Sequence, residues 1–299
     1  MRPLRLLAAT AVAAALILPA APALPAAGAT PAQLVRISAK HHKGYDRVLF
    51  WFDGAGPTDV RIAWSATPPT LDPSGLPSGL EGNAFLSVAF ETATGFDDTT
   101  RSGTSYGRTD RAYDLANVAE VTTLGDYEAV LSFGIGTMHR STNVHVHELT
   151  GPTRVAIDIG TWFDRVRRTI WFADASTFDG DGPYLVAVDR AVPLGVRPLQ
   201  SVAHRLFAGP TGWEMMRDLR LVRNGSTGFT KLTLDADGIA RIRLVGDCHL
   251  VDRPTTIGDL AIATLAGLPR VDWVKVYDPA GTTTTPAGPS DSLPACLIP

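Results

Sequence analysis

Alternation with a period of two dominates the first half of the chain. In "DRVLFWF" Val48, Phe50 and Phe52 fall on one side, and Arg47, Leu49 and Trp51 on the other. That is the pattern of a strand with one face in a core. "DVRIAW" groups Val60, Ile62 and Trp64. "NVHVHEL" sets Val144 and Val146 against His145 and His147, and "TRVAIDIG" turns Val155, Ile157 and Ile159 to one side. "AFLSVAF" and "AVLSFGI" read as further short strands. Gly and Pro punctuate these runs, and no helical period appears between residue 34 and about residue 160, so this half predicts a β-sandwich or barrel. The polar stretch between Ala93 and Glu128 reads as a long loop at one end.

The second half changes period. "YLVAVDR" is a strand. In "RPLQSVAHRLFAG" Leu199, Val202, Leu206 and Phe207 recur at helical spacing, with Pro198 in the first turn. Gly209 suits the left-handed position past a helix end and Pro210 forbids continuation. Thr211 and Glu214 then have the spacing of a capping box, so one helix stops and another starts within a few residues. "FTKLTLDADGIARIRLVG" reads as a hairpin turning at Asp237-Gly238. Residues 256–268 read as a helix stopped by Pro269, and "VDWVKVYD" as a last strand. Residues 172–183, "FADASTFDGDGP", have linker composition. The expectation is two domains: an N-terminal all-β sandwich or barrel over 30–165, a linker over 166–183, and a C-terminal α+β domain over 184–299.

The N-terminus stands apart. Arg2 and Arg5 precede an apolar run from Leu6 to Leu18 and a Pro/Ala-rich segment, with small-residue cleavage sites after residue 23 or 29. Residues 1–29 therefore read as a secretory signal peptide, the run being too short to span a bilayer. No later segment is long and apolar enough to do so, and no cysteine near the cleavage site offers a lipid anchor. Removing residues 1–29 takes two arginines from the 27 basic residues and leaves 25 against 30 acidic, a net charge of −5. That argues against nucleic acid and against an anionic membrane surface as partner. Cys248 and Cys296 are the two cysteines. In an exported chain an even pair reads as a disulfide, here one tying the C-terminal tail to the second domain.

The motifs "LFAGPT" (205–211), "DADGIARIRLVGD" (235–247) and "TLAGLPRVDWVKVYDPAG" (264–281) resemble, in order, those of the GerMN domain. That family is named for spore-germination and sporulation proteins and also occurs in actinobacterial envelope lipoproteins. "YDRVLFWFDG" (45–54) and "LTGPTRVAIDIG" (149–160) look like the opening and closing strands of an AMIN-like domain, the β-domain that often precedes cell-wall modules. The resemblances imply a secreted, non-catalytic envelope protein that binds peptidoglycan or another cell-wall glycan and engages an envelope protein partner. They bring no catalytic residue and no cofactor.

A search for chemistry leaves little. Gly103-Thr104-Ser105-Tyr106-Gly107 matches the nucleophile-elbow pattern, but neither an apolar strand nor a helix flanks it, so it reads as a polar loop. His41, His42, His145 and His147 lack a metal-site spacing, and Asp179-Gly180-Asp181-Gly182 lacks the remaining ligands of a calcium loop. The best binding surface is Tyr45, Arg47 and Trp51, an aromatic and cationic set on one side of a strand. The competing reading is that Trp51 is covered by the long loop or by a second sheet. Trp213, Met215 and Met216 read as core, with an apolar partner surface as the alternative. Two rival functions stay open: a wall hydrolase or esterase with a dispersed site, and a regulator of a membrane-bound envelope complex without wall affinity.

Overall fold

Phe50, Phe90 and Phe133 meet at the centre of the first half, Phe90 edge to face with both others, with ring centroids 4.8 to 6.2 Å apart. The computed structural model describes residues 30–298 other than 98, 100–102 and 196, so the signal-peptide reading lies outside the described residues. The strands that carry the aromatic cluster are β1 (Ala32–His42), β2 (Tyr45–Asp53), β3 (Asp59–Ser65), β4 (Ala84–Glu91), β5 (Ala93–Thr94), β6 (Asp110–Ala112), β7 (Val118–Tyr127), β8 (Val130–Thr137), β9 (Val144–Leu149) and β10 (Arg154–Gly160). They form two five-stranded sheets, ordered β5-β1-β2-β10-β9 and β3-β4-β8-β7-β6. Val48, Phe50 and Phe52 from the first sheet and Leu86, Val88, Phe133 and Ile135 from the second share one hydrophobic cluster. This is a sandwich, with the inward alternation that the sequence prescribes.

Two features of this half depart from expectation. The strand "YDRVLFWFD" is the second, not the opening one: β1 precedes it, and its irregular "AQLVRISAKHH" carries a register shift between Leu34 and Arg36. The supposed loop of 93–128 contains β7, where Val118, Ala119 and Val121 are buried. Its Glu, Thr and Gly residues masked the alternation. Glu120 is buried as well, which no rule of polarity anticipates.

The second half builds β11 (Arg165–Asp174), β12 (Leu185–Pro193), α1 (Pro198–Ala208), α2 (Gly212–Met216), β13 (Leu219–Arg220), β14 (Ser226–Leu234), β15 (Ile239–Gly246), α3 (Ile257–Ala266) and β16 (Trp273–Tyr277). Its two three-stranded sheets, β12-β11-β13 and β14-β15-β16, pack on α1 and α3 around one shared core. Gly209 takes φ 88° past the end of α1, and Thr211 and Glu214 form the reciprocal capping box of α2. Thr256 and Asp259 do the same for α3. The expected linker is corrected at its start. Residues 165–174 are a paired strand, and Ile170, Phe172 and Ala173 enter the core. The polar run that follows Asp174 drew attention away from the alternation in "RVRRTIWFA". Trp213 and Met216, read as core, are 67% and 71% exposed. The one-and-a-half turns of α2 are too short to have a buried side.

Cys248 and Cys296 are bonded, with Cα atoms 5.8 Å apart. Polar groups join the two halves. Arg205 on α1, 1% exposed, donates to the carbonyls of Tyr113 (2.8 Å), Leu115 (2.7 Å) and Val118 (3.0 Å). Beside it His204 Nδ1 lies 2.6 Å from Glu81, and Asn83 donates to Ser201 at 2.7 Å. Residues 31–299 form one unit in their contacts.

Candidate functional site

The face of the first sheet turned away from the core is set by register. On β2 it carries Tyr45, Arg47, Leu49 and Trp51. Opposite them stand His42, Lys40, Ser38 and Arg36 of β1 and Gly160, Asp158, Ala156 and Arg154 of β10. β9 extends it with His145, His147 and Leu149. Direct cross-strand neighbours share a face, so this side presents Arg36, Lys40, Arg47 and Arg154 with Lys43 at the hairpin turn. Asp158 is the anion among them. In a chain of net charge −3 this concentrates positive charge on one surface.

Arg47 organises one end. Its Nε and Nη2 donate to Asp158 at 2.6 and 2.7 Å, a two-pronged pair. Those hydrogen bonds hold the guanidinium above its usual pKa. The same guanidinium lies 5.4 Å from the ring centre of Tyr45, whose ring stacks on His42 at 4.9 Å and 11°. Asp158 Oδ2 is also 3.2 Å from His147 Nε2. Further along, Trp51 donates to Ser38 Oγ at 3.2 Å and lies between two guanidinium groups, Arg36 at 5.4 Å and Arg154 at 5.0 Å. These are cation–π distances.

Beyond Tyr45 lies a hollow of about 240 Å³ lined by Lys43, Tyr45, Asn143, His145, Asp158 and Trp162. Trp162 is 76% exposed. Its indole runs over Gly44, where a Cβ would sit 2.6 Å from Cζ2, so only a glycine permits the approach. The hollow thus offers one free aromatic face, a neutral amide, an imidazole and a carboxylate to a small polar ligand.

The structure brings Tyr45, Arg47 and Trp51 to a single open face. Tyr45 and Arg47 touch, while Trp51 sits apart with two arginines over its ring. The strands described within the 93–128 segment belong mainly to the other sheet. Sequence reasoning missed Trp162, Asp158, Arg36 and Arg154. Asp158 and Arg154 were findable, since they alternate with the inward Val155, Ile157 and Ile159. Trp162 follows its strand and carries no periodic signal. Ser105 of the elbow-like motif sits in a turn and donates to the carbonyls of Leu34 and Gly95. Among the described residues no group of three or more His, Cys, Asp or Glu is placed to hold a metal ion.

Fold and face together define a β-sandwich module with a basic, aromatic sheet surface. Residues 32–161 of this chain match the family model of the AMIN-like domain, which spans β1 to β10. No curated protein and no solved structure matches the chain.

Proposed function

We propose that the protein is a secreted, non-catalytic cell-envelope protein whose AMIN-like half binds peptidoglycan through the outer face of its first sheet. The observation that carries this is the clustering of five cations and three aromatic side chains, Tyr45, Trp51 and Trp162, on one sheet surface of an otherwise acidic chain. Peptidoglycan joins sugar rings, which stack on an open aromatic face such as that of Trp162, to peptides with free carboxylates, which suit guanidinium and ammonium groups. Among the described residues no helix is long and apolar enough to cross a membrane. In this reading the second half, which resembles the GerMN domain, engages an envelope protein partner. The exposed Trp213 and Met216 of α2 offer an apolar surface for it.

The test is co-sedimentation of the chain lacking residues 1–29 with purified insoluble peptidoglycan at low and moderate salt. Binding is expected to weaken but persist as salt rises, because stacking is not screened. Trp162→Ala is expected to lower the bound fraction several-fold, with Trp213→Ala unchanged. Absence of the protein from the pellet at low salt refutes the reading.

A further inference from the structure

A second charged surface lies on the other half, remote in sequence from the first. On β14-β15-β16 the core takes Leu232, Ile242, Leu244, Val274 and Val276. The opposite parity places Lys231 and Thr233 of β14, Arg241 and Arg243 of β15, and Tyr277 of β16 side by side. Lys231 pairs in register with Arg243, Thr233 with Arg241, and Arg243 with Tyr277. These side chains and Gly281 line a groove of about 210 Å³.

The groove is built rather than incidental. Arg241 is fixed by Asp235, whose carboxylate is held by the N–H groups of Asp237 at 3.0 Å and Ile239 at 2.9 Å in the hairpin turn. Arg243 is fixed from the other side, donating Nε and Nη2 to the carbonyl of Pro279. Gly281, at φ +86°, brings the tail backbone under that guanidinium. The tail is itself anchored. The buried Lys275 donates to Thr285 O at 2.7 Å, and the disulfide at Cys296 closes the far end. Lys231 is exposed and forms no hydrogen bond or ion pair among the described residues. Three cations line the groove; Asp235 pairs with Arg241, and the nearby Asp278 carboxylate is turned to Thr282. Two pre-oriented guanidinium groups and one free ammonium converging on a small hollow suit a compact anion with several acceptor oxygens.

We propose that this groove is an anion site that takes a phosphate group. A carboxylate matches less of it, because its two oxygens lie in one plane, whereas phosphate oxygens point in tetrahedral directions toward cations on several sides. The phosphate could be free, in a wall phosphodiester polymer or on a lipid headgroup, and the experiment separates these sources.

The chain lacking residues 1–29 is titrated with sodium phosphate against sodium chloride at equal ionic strength, following backbone and Arg Nε–H signals by NMR. Saturable shifts centred on residues 231, 241 and 243 are expected with phosphate and not with chloride. Lys231→Glu and Arg243→Ser, both at exposed positions, should each weaken binding by about tenfold or more; melting should be unchanged in Lys231→Glu and slightly lower in Arg243→Ser, which gives up its bonds to Pro279. Arg47→Ser, in the other half, should leave phosphate binding intact, so this proposal and the peptidoglycan reading fail independently. Shifts no larger than those from chloride, or wild-type affinity in both groove variants, overturn it. Parallel titrations use glycerol phosphate oligomers, and vesicles of phosphatidylglycerol against phosphatidylcholine. Whichever binds in a groove-dependent way names the source, and a response to inorganic phosphate alone makes it a free-phosphate site.

Discussion

Arg47 is bound to its surroundings through one functional group, and its removal tests the first sheet face residue by residue. Asp158, 7% exposed, would lose its two-pronged partner and keep the His147 imidazole at 3.2 Å. Because Arg47 is partly open to water, Arg47→Ala is expected to cost about 1–3 kcal/mol in urea unfolding and to weaken peptidoglycan binding as well. Arg47→Lys should recover part of the stability and less of the binding, since an ammonium cannot make the two-pronged pair. Glu120 shows a different residue-level effect. Burial pushes its carboxyl up to about 8, against the hydrogen bond it accepts from the Glu81 N–H. Glu81 is raised too, mainly by burial and opposed by His204, while Arg223 and Asp110 complete the charged surroundings. The folded state therefore holds a proton that the unfolded chain releases near pH 4.5. Stability falls as pH rises from about 5 to 8 and levels off above that, by up to roughly 4 kcal/mol. Glu120→Gln keeps the shape and the acceptor oxygen. Its melting temperature should exceed that of the wild type at pH 8 and vary less across the window. A wild-type melting temperature that is flat from pH 5 to 8 would contradict the buried neutral acid.

At the scale of elements, what was legible was what obeys local rules. The stop at Gly209-Pro210 and the start at Thr211 follow from backbone freedom and a satisfied N–H, so both could be placed from seven residues. Thr211→Ala should cost about 1 kcal/mol, read as a lower denaturant midpoint at unchanged slope. The hairpin and α3 were legible for the same reason. Elements whose logic is tertiary were not. β7 carries Glu120 and Thr122 inward because the second half covers them, and no window around residue 120 contains that half. β11 hid behind the polar run that follows it. The site divides in the same way: Tyr45, Arg47 and Trp51 came from alternation along one strand, whereas Trp162 depends on a close approach to Gly44 across a turn. Polar side chains also decide how the sheet ends. β9 is an edge strand bearing His145, His147 and Glu148, which discourages pairing with a second copy.

At the scale of the whole molecule, the two hydrophobic cores are separate but the polar contacts between them are not loose. Arg205 satisfies three backbone carbonyls of the first half from within α1 of the second, and burial lowers its guanidinium to about 10. Such contacts make unfolding of one half expose unpaired groups in the other. The chain lacking residues 1–29 is expected to unfold in one transition, with tryptophan fluorescence and far-ultraviolet circular dichroism coinciding. Arg205→Ala, which leaves those carbonyls without a donor, should separate the two curves. Coincident curves in that variant would mean that packing alone couples the halves.

The indole laid across Gly44 has a practical consequence. Of six tryptophans, Trp162 and Trp213 are the most exposed, one beside the hollow of the first half and the other on α2 of the second. Each is open to a collisional quencher such as acrylamide, while Trp51 is shielded by its arginines. The molecule therefore carries two intrinsic optical reporters, one for each half. A ligand seated on the sheet face would protect Trp162 and leave Trp213 quenchable, and a protein docked on α2 would do the reverse.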